Sequence, residues 1–141
     1  MSRRRLLCGH CDRPSAAPAP LVEAHCEHCG RRLLDGRVAR WDGRALRRHL
    51  QHDGLPLLVL CHAPGCAHCR RAAAAQAAVA RRLVGRLRAA RVDVAAHPAL
   101  ARRHHIRAVP TFLLFRRGRA VARLDGAPTT ARLTSWLEPQ L

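Results

Sequence analysis

From Val38 onward, apolar and polar positions alternate in blocks that read as a succession of strands and helices, whereas residues 1–36 follow neither period. Val38 to Trp41 predicts a short strand. Asp42 can cap a helix running through Ala45, Leu46 and Leu50 to about His52, closed by Gly54. Leu55 to Cys61 is a continuous apolar run between turn residues, the pattern of a strand buried on both faces. The Ala/Arg segment from Cys66 to about Ala90 predicts a long helix with Ala73, Ala77, Ala80, Val84 and Leu87 on its inner face. Arg91 to Ala95 follows as a strand, and Pro98 opens a short helix reaching His105. Thr111–Phe115 and Ala120–Leu124 are strands joined by a tight turn at Arg117-Gly118, and Thr129 or Thr130 caps a last helix to Leu137. The resulting order, β-α-β-α-β-α-β-β-α, predicts an α/β class: a central mixed sheet, parallel at its core with an antiparallel edge, flanked by helices.

Composition adds three constraints. Hydrophobic residues reach 48% but aromatics only 3%, so the core must be built from Leu, Val and Ala. The net charge is +17 and all 26 basic residues are Arg. Such a charge could neutralise phosphates, but the arginines are scattered in pairs through both halves and few aromatics are present to stack on bases. A solvated surface is therefore expected, and no nucleic-acid partner. No segment approaches the roughly 20 apolar residues of a membrane span, and the basic start, Met1 to Cys8, lacks the apolar stretch of a secretory signal. The expected setting is cytoplasmic and reducing, where seven cysteines are metal-binding or catalytic rather than structural disulfides.

Cys66-Ala67-His68-Cys69 follows a buried strand and opens a helix. A sulfur there sits among unpaired backbone N–H groups at the positive end of the helix dipole, which stabilises the thiolate. Cys66, first in the turn, is expected to be the exposed nucleophile, and Cys69, one turn deeper, the resolving thiol. His68, if protonated, would add positive charge and make the disulfide more oxidising. Cys61, inside the apolar run, reads as a small buried hydrophobe.

The segment Ala63-Pro64-Gly65-Cys66-Ala67-His68-Cys69-Arg70 resembles the active site of the thioredoxin family. Ile106 to Phe112 resembles that family's segment with a cis-proline facing the disulfide, and Arg117-Gly118-Arg119 and Asp125-Gly126-Ala127 match its hairpin and glycine loop. The resemblance covers about residues 37–141. It implies a thioredoxin fold, a cis bond at Val109-Pro110, and substrate contacts at Gly65, Val109, Pro110 and Gly126. It also exposes departures. Gly65 stands where the family has Trp, Ala67-His68 replaces Gly-Pro, and Leu60 occupies the place of the buried Asp that helps deprotonate the resolving thiol. Arg91 corresponds to the basic residue across from it and, lacking that partner, is expected to point to solvent. The altered dipeptide predicts a potential above that of thioredoxin, roughly −250 to −180 mV.

Residues 1–36 are too short to bury a core and need a staple. Cys8-Gly9-His10-Cys11 and Cys26-Glu27-His28-Cys29, fourteen residues apart, have the spacing of two metal-binding knuckles. Four soft thiolates suit one Zn²⁺, with iron or two disulfides as alternatives and His10, His25 or His28 as substitute ligands. The layout resembles the zinc-binding two-domain thioredoxins (the thioredoxin-2 type), with Cys29 to Gly36 as the join. A zinc ribbon at 1–36 and a thioredoxin domain at 37–141 are thus expected. The resemblance implies a monomeric protein-disulfide reductase that needs no organic cofactor, takes electrons from a flavin-dependent thioredoxin reductase and acts on disulfide-containing proteins. Two alternatives stay open: a zinc-ribbon module binding nucleic acid or protein on a thioredoxin scaffold, and a more oxidising oxidase or isomerase. The zinc site is structural or a redox sensor.

Overall fold

The structure, a computed structural model, describes residues 4–141; Met1 to Arg3 of the basic start lie outside the described residues. Seven strands are described: β1 (Arg4–Leu7), β2 (Pro14–Ala17), β3 (Val38–Arg40), β4 (Leu57–His62), β5 (Arg88–Asp93), β6 (Thr111–Arg116) and β7 (Arg119–Asp125). The helices are α1 (Gly43–His52), α2 (Ala67–Arg82), α3 (Pro98–Arg103) and α4 (Thr130–Leu137). Strands β3 to β7 form one sheet in the order β3-β5-β4-β6-β7, with β3, β5 and β4 parallel and β6 and β7 antiparallel.

Strand β4 lies at the centre and is buried on both faces, which is why its sequence reads as an unbroken apolar run. Leu58 and Leu60 face one layer with Ala72, Val79, Leu133 and Leu137 of α2 and α4. Leu57, Val59 and Cys61 face the other, with Leu46 of α1 and partly buried Leu100 of α3. The predicted caps hold: the Asp42 carboxylate accepts from the Ala45 N–H and the Thr129 hydroxyl from the Arg132 N–H. The β6–β7 turn places Arg117 at φ 50° and Gly118 at φ 78°, the pair of positive values a two-residue hairpin favours.

Helix α2 ends at Arg82, not near Ala90. Leu83 leaves the helical region and Gly85 turns at φ 91°, after which Arg88 to Asp93 form β5 in place of the expected strand at 91–95. Ala and Arg favour helices, but Ala89 and Ala90 are drawn between β3 and β4, where they are almost fully buried. The inner face of α2 also differs from the expected one: it carries Cys69, Ala72, Ala75, Gln76, Val79 and Ala80. Gln76, fully buried, donates to the carbonyls of Leu58 and Ala90 and so fastens α2 across β4 and β5.

The N-terminal segment, for which no strand was expected, folds as an antiparallel hairpin of β1 and β2. It docks at the end of the sheet where β4 and β5 begin. The Gly54 N–H donates to Arg5 O at 2.7 Å, and a Cβ at Gly54 would meet that oxygen at 2.7 Å, so this close approach requires glycine. Arg88 Nη2 donates to Leu7 O, while its Nε lies 2.6 Å from Asp53 Oδ2. Asp53, its side chain fully buried, also accepts from His49 Nδ1 at 2.7 Å, and His49 stacks on Trp41 at 3.9 Å.

Burial lowers the His49 pKa below its usual value despite Asp53, and Arg88 adds to the lowering. The unfolded chain therefore takes up a proton near pH 6.5 that the folded chain refuses. Stability is full above pH 6.5 and falls as the pH drops toward the folded pKa, at up to about 1.4 kcal/mol per pH unit for one such group. Urea unfolding from pH 7.5 to 5.0 is expected to show this decline, and His49→Phe to make it shallower.

Candidate redox and metal sites

Strand β4 ends at His62, the loop Ala63–Gly65 follows, and Cys66 is the N-cap of α2. Cys66 and Cys69 are joined as a disulfide with Cα atoms 5.2 Å apart. Cys66 is partly exposed and Cys69 buried. The Cys69 N–H donates to Cys66 Sγ at 3.1 Å, the position in which an N-cap acceptor satisfies a free helix N–H.

Around this pair, positions 65 and 126 are open: a Cβ on Gly65 (φ 73°) or Gly126 (φ 92°) would meet nothing within 4 Å. Val109-Pro110 is cis, and Gly126 N–H donates to Pro110 O. The backbone N–H and C=O of Val109 have no hydrogen-bond partner among the described residues. Thr111, next in the chain, lies opposite Cys61 on β4, which sets this segment beside the end of the strand leading to Cys66.

His68 is exposed, and its Nδ1 accepts from Arg71, so the guanidinium of Arg71 supplies the fixed positive charge of this turn. Leu60 is fully buried and in register with Arg91, so no carboxylate stands at that place. Arg91 does not extend freely into solvent as expected: its Nε is enclosed without a partner, and burial, then Arg40, lowers its pKa. Cys61 is fully buried and burial pushes its pKa to about 12, which keeps it a protonated, inert thiol.

Sequence reasoning missed His62. Strand alternation sets it on the Leu60 side, facing α2, and its partner across the ladder is Asp93. Burial lowers its pKa, Asp93 opposes this, and Arg91 and Arg40 reinforce it.

The second cluster lies in the N-terminal segment, with Cys8 and Cys11 between β1 and β2 and Cys26 and Cys29 beyond β2. The ligand atoms of Cys8, Cys11, Cys26 and Cys29 all fall within 4.8 Å of one another. Cys8 and Cys29 Sγ are 3.7 Å apart, and Cys11 and Cys26 Sγ 3.6 Å. A tetrahedron with 2.3 Å metal–sulfur bonds has edges of about 3.8 Å, so the set fits a four-thiolate ion. The two knuckles repeat each other. In each, the first cysteine's carbonyl accepts from the residue four on, Asp12 or Gly30, both at positive φ. In each, the residue two on donates its N–H to the first sulfur: His10 to Cys8 and His28 to Cys26.

Burial raises the Cys26 thiol, but the N–H groups of Cys29 and His28 and the neighbouring thiols outweigh it, leaving a pKa of about 6. Cys11 is pushed up to about 12 by burial and by the other three thiols. Cys26 is thus ionised readily while Cys11 resists ionisation, which a bound cation would relieve. None of His10, His25 or His28 belongs to this four-donor set.

The thioredoxin family model matches residues 38–139. The chain belongs to the thioredoxin family. Thioredoxin C-3 of Corynebacterium nephridii is 28% identical over 138 residues, covering 96% of this chain and 94% of that protein. Thioredoxin 1 of Nostoc is 31% identical over 95 residues, covering 67% of this chain and 89% of its own length. A solved mutant thioredoxin of Halobacterium salinarum superposes with a TM-score of 0.67 at 24% identity, over 74% of this chain and 90% of that one, which shows the fold. The sheet order and flanking helices described above are thus the thioredoxin fold, and its family supports thiol–disulfide oxidoreductase chemistry. No helix among the described residues is long and apolar enough to cross a membrane.

Elemental analysis is expected to find one divalent ion per chain, and none in a Cys8→Ser/Cys26→Ser variant. Chelating the ion is expected to lower the unfolding temperature, because Leu6, Leu33, Leu34 and Leu55 pack against these cysteines.

Proposed function

We propose that the chain reduces protein disulfides through Cys66 and Cys69. The observation that supports this most is the Cys69 N–H donated to Cys66 Sγ at the first turn of α2, beside the unpaired backbone of Val109. In the dithiol state, the Cys66 thiolate attacks one sulfur of a substrate disulfide. That S–S bond breaks, the other substrate sulfur leaves as a thiolate and is protonated, and a mixed disulfide forms. Cys69, deprotonated, then attacks Cys66 Sγ, which releases the second substrate thiol and leaves Cys66–Cys69 oxidised. Two electrons pass to the substrate, and a dithiol reductant, in the cell a flavin-dependent reductase, restores the pair. Gly65, Val109, Pro110 and Gly126 form the substrate-facing surface, with a strand of substrate pairing to Val109. His68 and Arg91 tune the site.

Cys8, Cys11, Cys26 and Cys29 would hold one Zn²⁺, which as a closed four-thiolate ion supplies structure and no open coordination position. This reading assigns residues 1–36 to a zinc ribbon and 37–141 to the redox domain, the thioredoxin-2 arrangement, in a cytoplasmic protein. Ser15 supports that structural role: its buried hydroxyl accepts from the Glu27 N–H and so ties β2 to the second knuckle.

Insulin-disulfide reduction driven by dithiothreitol is expected for the wild type and to fall at least about 10³-fold in Cys66→Ser, since a hydroxyl is not ionised at neutral pH. Cys69→Ser is expected to trap the mixed disulfide. Equilibration with glutathione is expected to place the potential between roughly −250 and −180 mV; a value at or below about −270 mV would contradict the tuning assigned to Ala67-His68.

A further inference from the structure

Charge is distributed unevenly about the redox pair. At this end of the sheet, each nearby carboxylate serves the chain itself. Asp42 caps α1, Asp93 accepts from the Ala95 and Ala96 N–H groups, and Asp125 accepts from the Thr111 hydroxyl. The cations do not pair with them. The ion pairs among the described residues join His28–Glu27, Arg48–Asp12, His49–Asp53, Arg86–Glu138 and Arg88–Asp53, all away from Cys66. Arg40, Arg70 and Arg107 are exposed here without such a partner.

One of these cations belongs to a pocket of about 380 Å³, lined by His105, Arg107, Ala108, Thr111, Arg123 and Asp125. Its lining residues Ala108 and Thr111 flank Val109-Pro110 in the chain. Arg123 is held in place by donating to the carbonyls of His104 and His105. Asp125 is occupied by Thr111, and Thr111 Oγ1 also contacts Ala108 O at 3.0 Å. Arg107 is left as the pocket's cation with no acceptor among the described residues.

We propose that this pocket receives an acidic side chain of the substrate, so that the protein selects disulfides whose cysteine is flanked by Asp or Glu. The inference rests on the disulfide-reductase reading and adds a substrate class to it. A peptide strand laid along Val109 would carry its flanking side chains over Arg107. There a carboxylate gains a charge-assisted hydrogen bond from the guanidinium, while a Lys or Arg meets the two guanidiniums of Arg107 and Arg123, which outweigh the single carboxylate of Asp125.

The test uses two disulfide-looped peptides, identical except for Glu or Lys beside one cysteine, with dithiothreitol as reductant at low ionic strength. The Glu peptide is expected to be reduced with a kcat/KM at least about tenfold higher. That ratio is expected to shrink in about 0.5 M salt, where screening acts over only a few ångströms. Arg107→Glu is expected to reverse the preference, slowing the Glu peptide and speeding the Lys peptide; a folding defect would slow both. Arg37→Glu makes the same change in net charge before β3, at the far end of the sheet, and is expected to keep the wild-type ratio. Equal rates for the two peptides, or equal effects of the two charge reversals, would overturn the pocket assignment while leaving the reductase reading intact. If the wild type reduces neither peptide, the reductase reading fails and this inference with it.

Discussion

The structure turns on one hydrogen bond, from the Cys69 N–H to Cys66 Sγ. A helix leaves its first N–H groups without partners, and most helices close that gap with an oxygen. Here α1 uses Asp42 and α4 uses Thr129, whereas α2 uses sulfur. A sulfur in that place is better stabilised as an anion than as a thiol, so the group that completes the helix is also made nucleophilic. The helix end is rigid because Ala72, Ala75, Gln76 and Val79 press α2 onto β4 and β5. Packing at the centre of the sheet is thereby linked to reactivity at its edge.

The two cysteine sites occupy opposite ends of the same strands. Leu57 and Arg88, where β4 and β5 begin, lie near the four-thiol hairpin, while His62, where β4 finishes, precedes the redox loop. The hairpin reaches the sheet through polar contacts placed among apolar ones. Arg48 binds Asp12 beside the first knuckle, Gly54 binds Arg5, and the His49–Asp53–Arg88 cluster binds Leu7 O. Asp53 is buried against Arg88, so losing that guanidinium would leave a costly unpaired charge. The four-thiol cluster and the start of the sheet are therefore one mechanical unit, and the redox pair lies at the other end of β4.

The strands and caps from Val38 onward were legible because their signals are local. Asp42 and Thr129 cap what they were expected to cap, and unbroken apolar runs became central strands. The C-x-x-C spacings were legible in the sequence, and the fold brings Cys66 next to Cys69 and gathers Cys8, Cys11, Cys26 and Cys29. Residues 83–90 were misread because alanine and arginine carry a helical propensity that the sheet overrides, and Gly85 was not taken as a break. The β1–β2 hairpin gave no strand pattern because each strand is only four residues long, and its buried Leu6, Leu7 and Ala17 form no alternating run. Gln76 and the His49–Asp53–Arg88 cluster were invisible for a different reason. Their partners come from separate elements, and only the fold shows that a polar side chain lands on two unsatisfied groups. Arg91 was expected in solvent because its acidic counterpart is Leu60; in the fold it lies between β3 and β4, in register with Arg40 and Leu60, and its Nε is buried instead.

The central claim is that the start of α2 makes Cys66 the reactive thiol. The most direct test is the pH dependence of alkylation by iodoacetamide in the reduced, metal-loaded protein, with Cys66 and Cys69 followed separately by mass spectrometry. The account predicts that Cys66 reacts first and is half-ionised below about pH 8, under the ordinary cysteine value of about 8.5. Half-ionisation of Cys66 at or above about 8.5, or faster modification of Cys69, would contradict it.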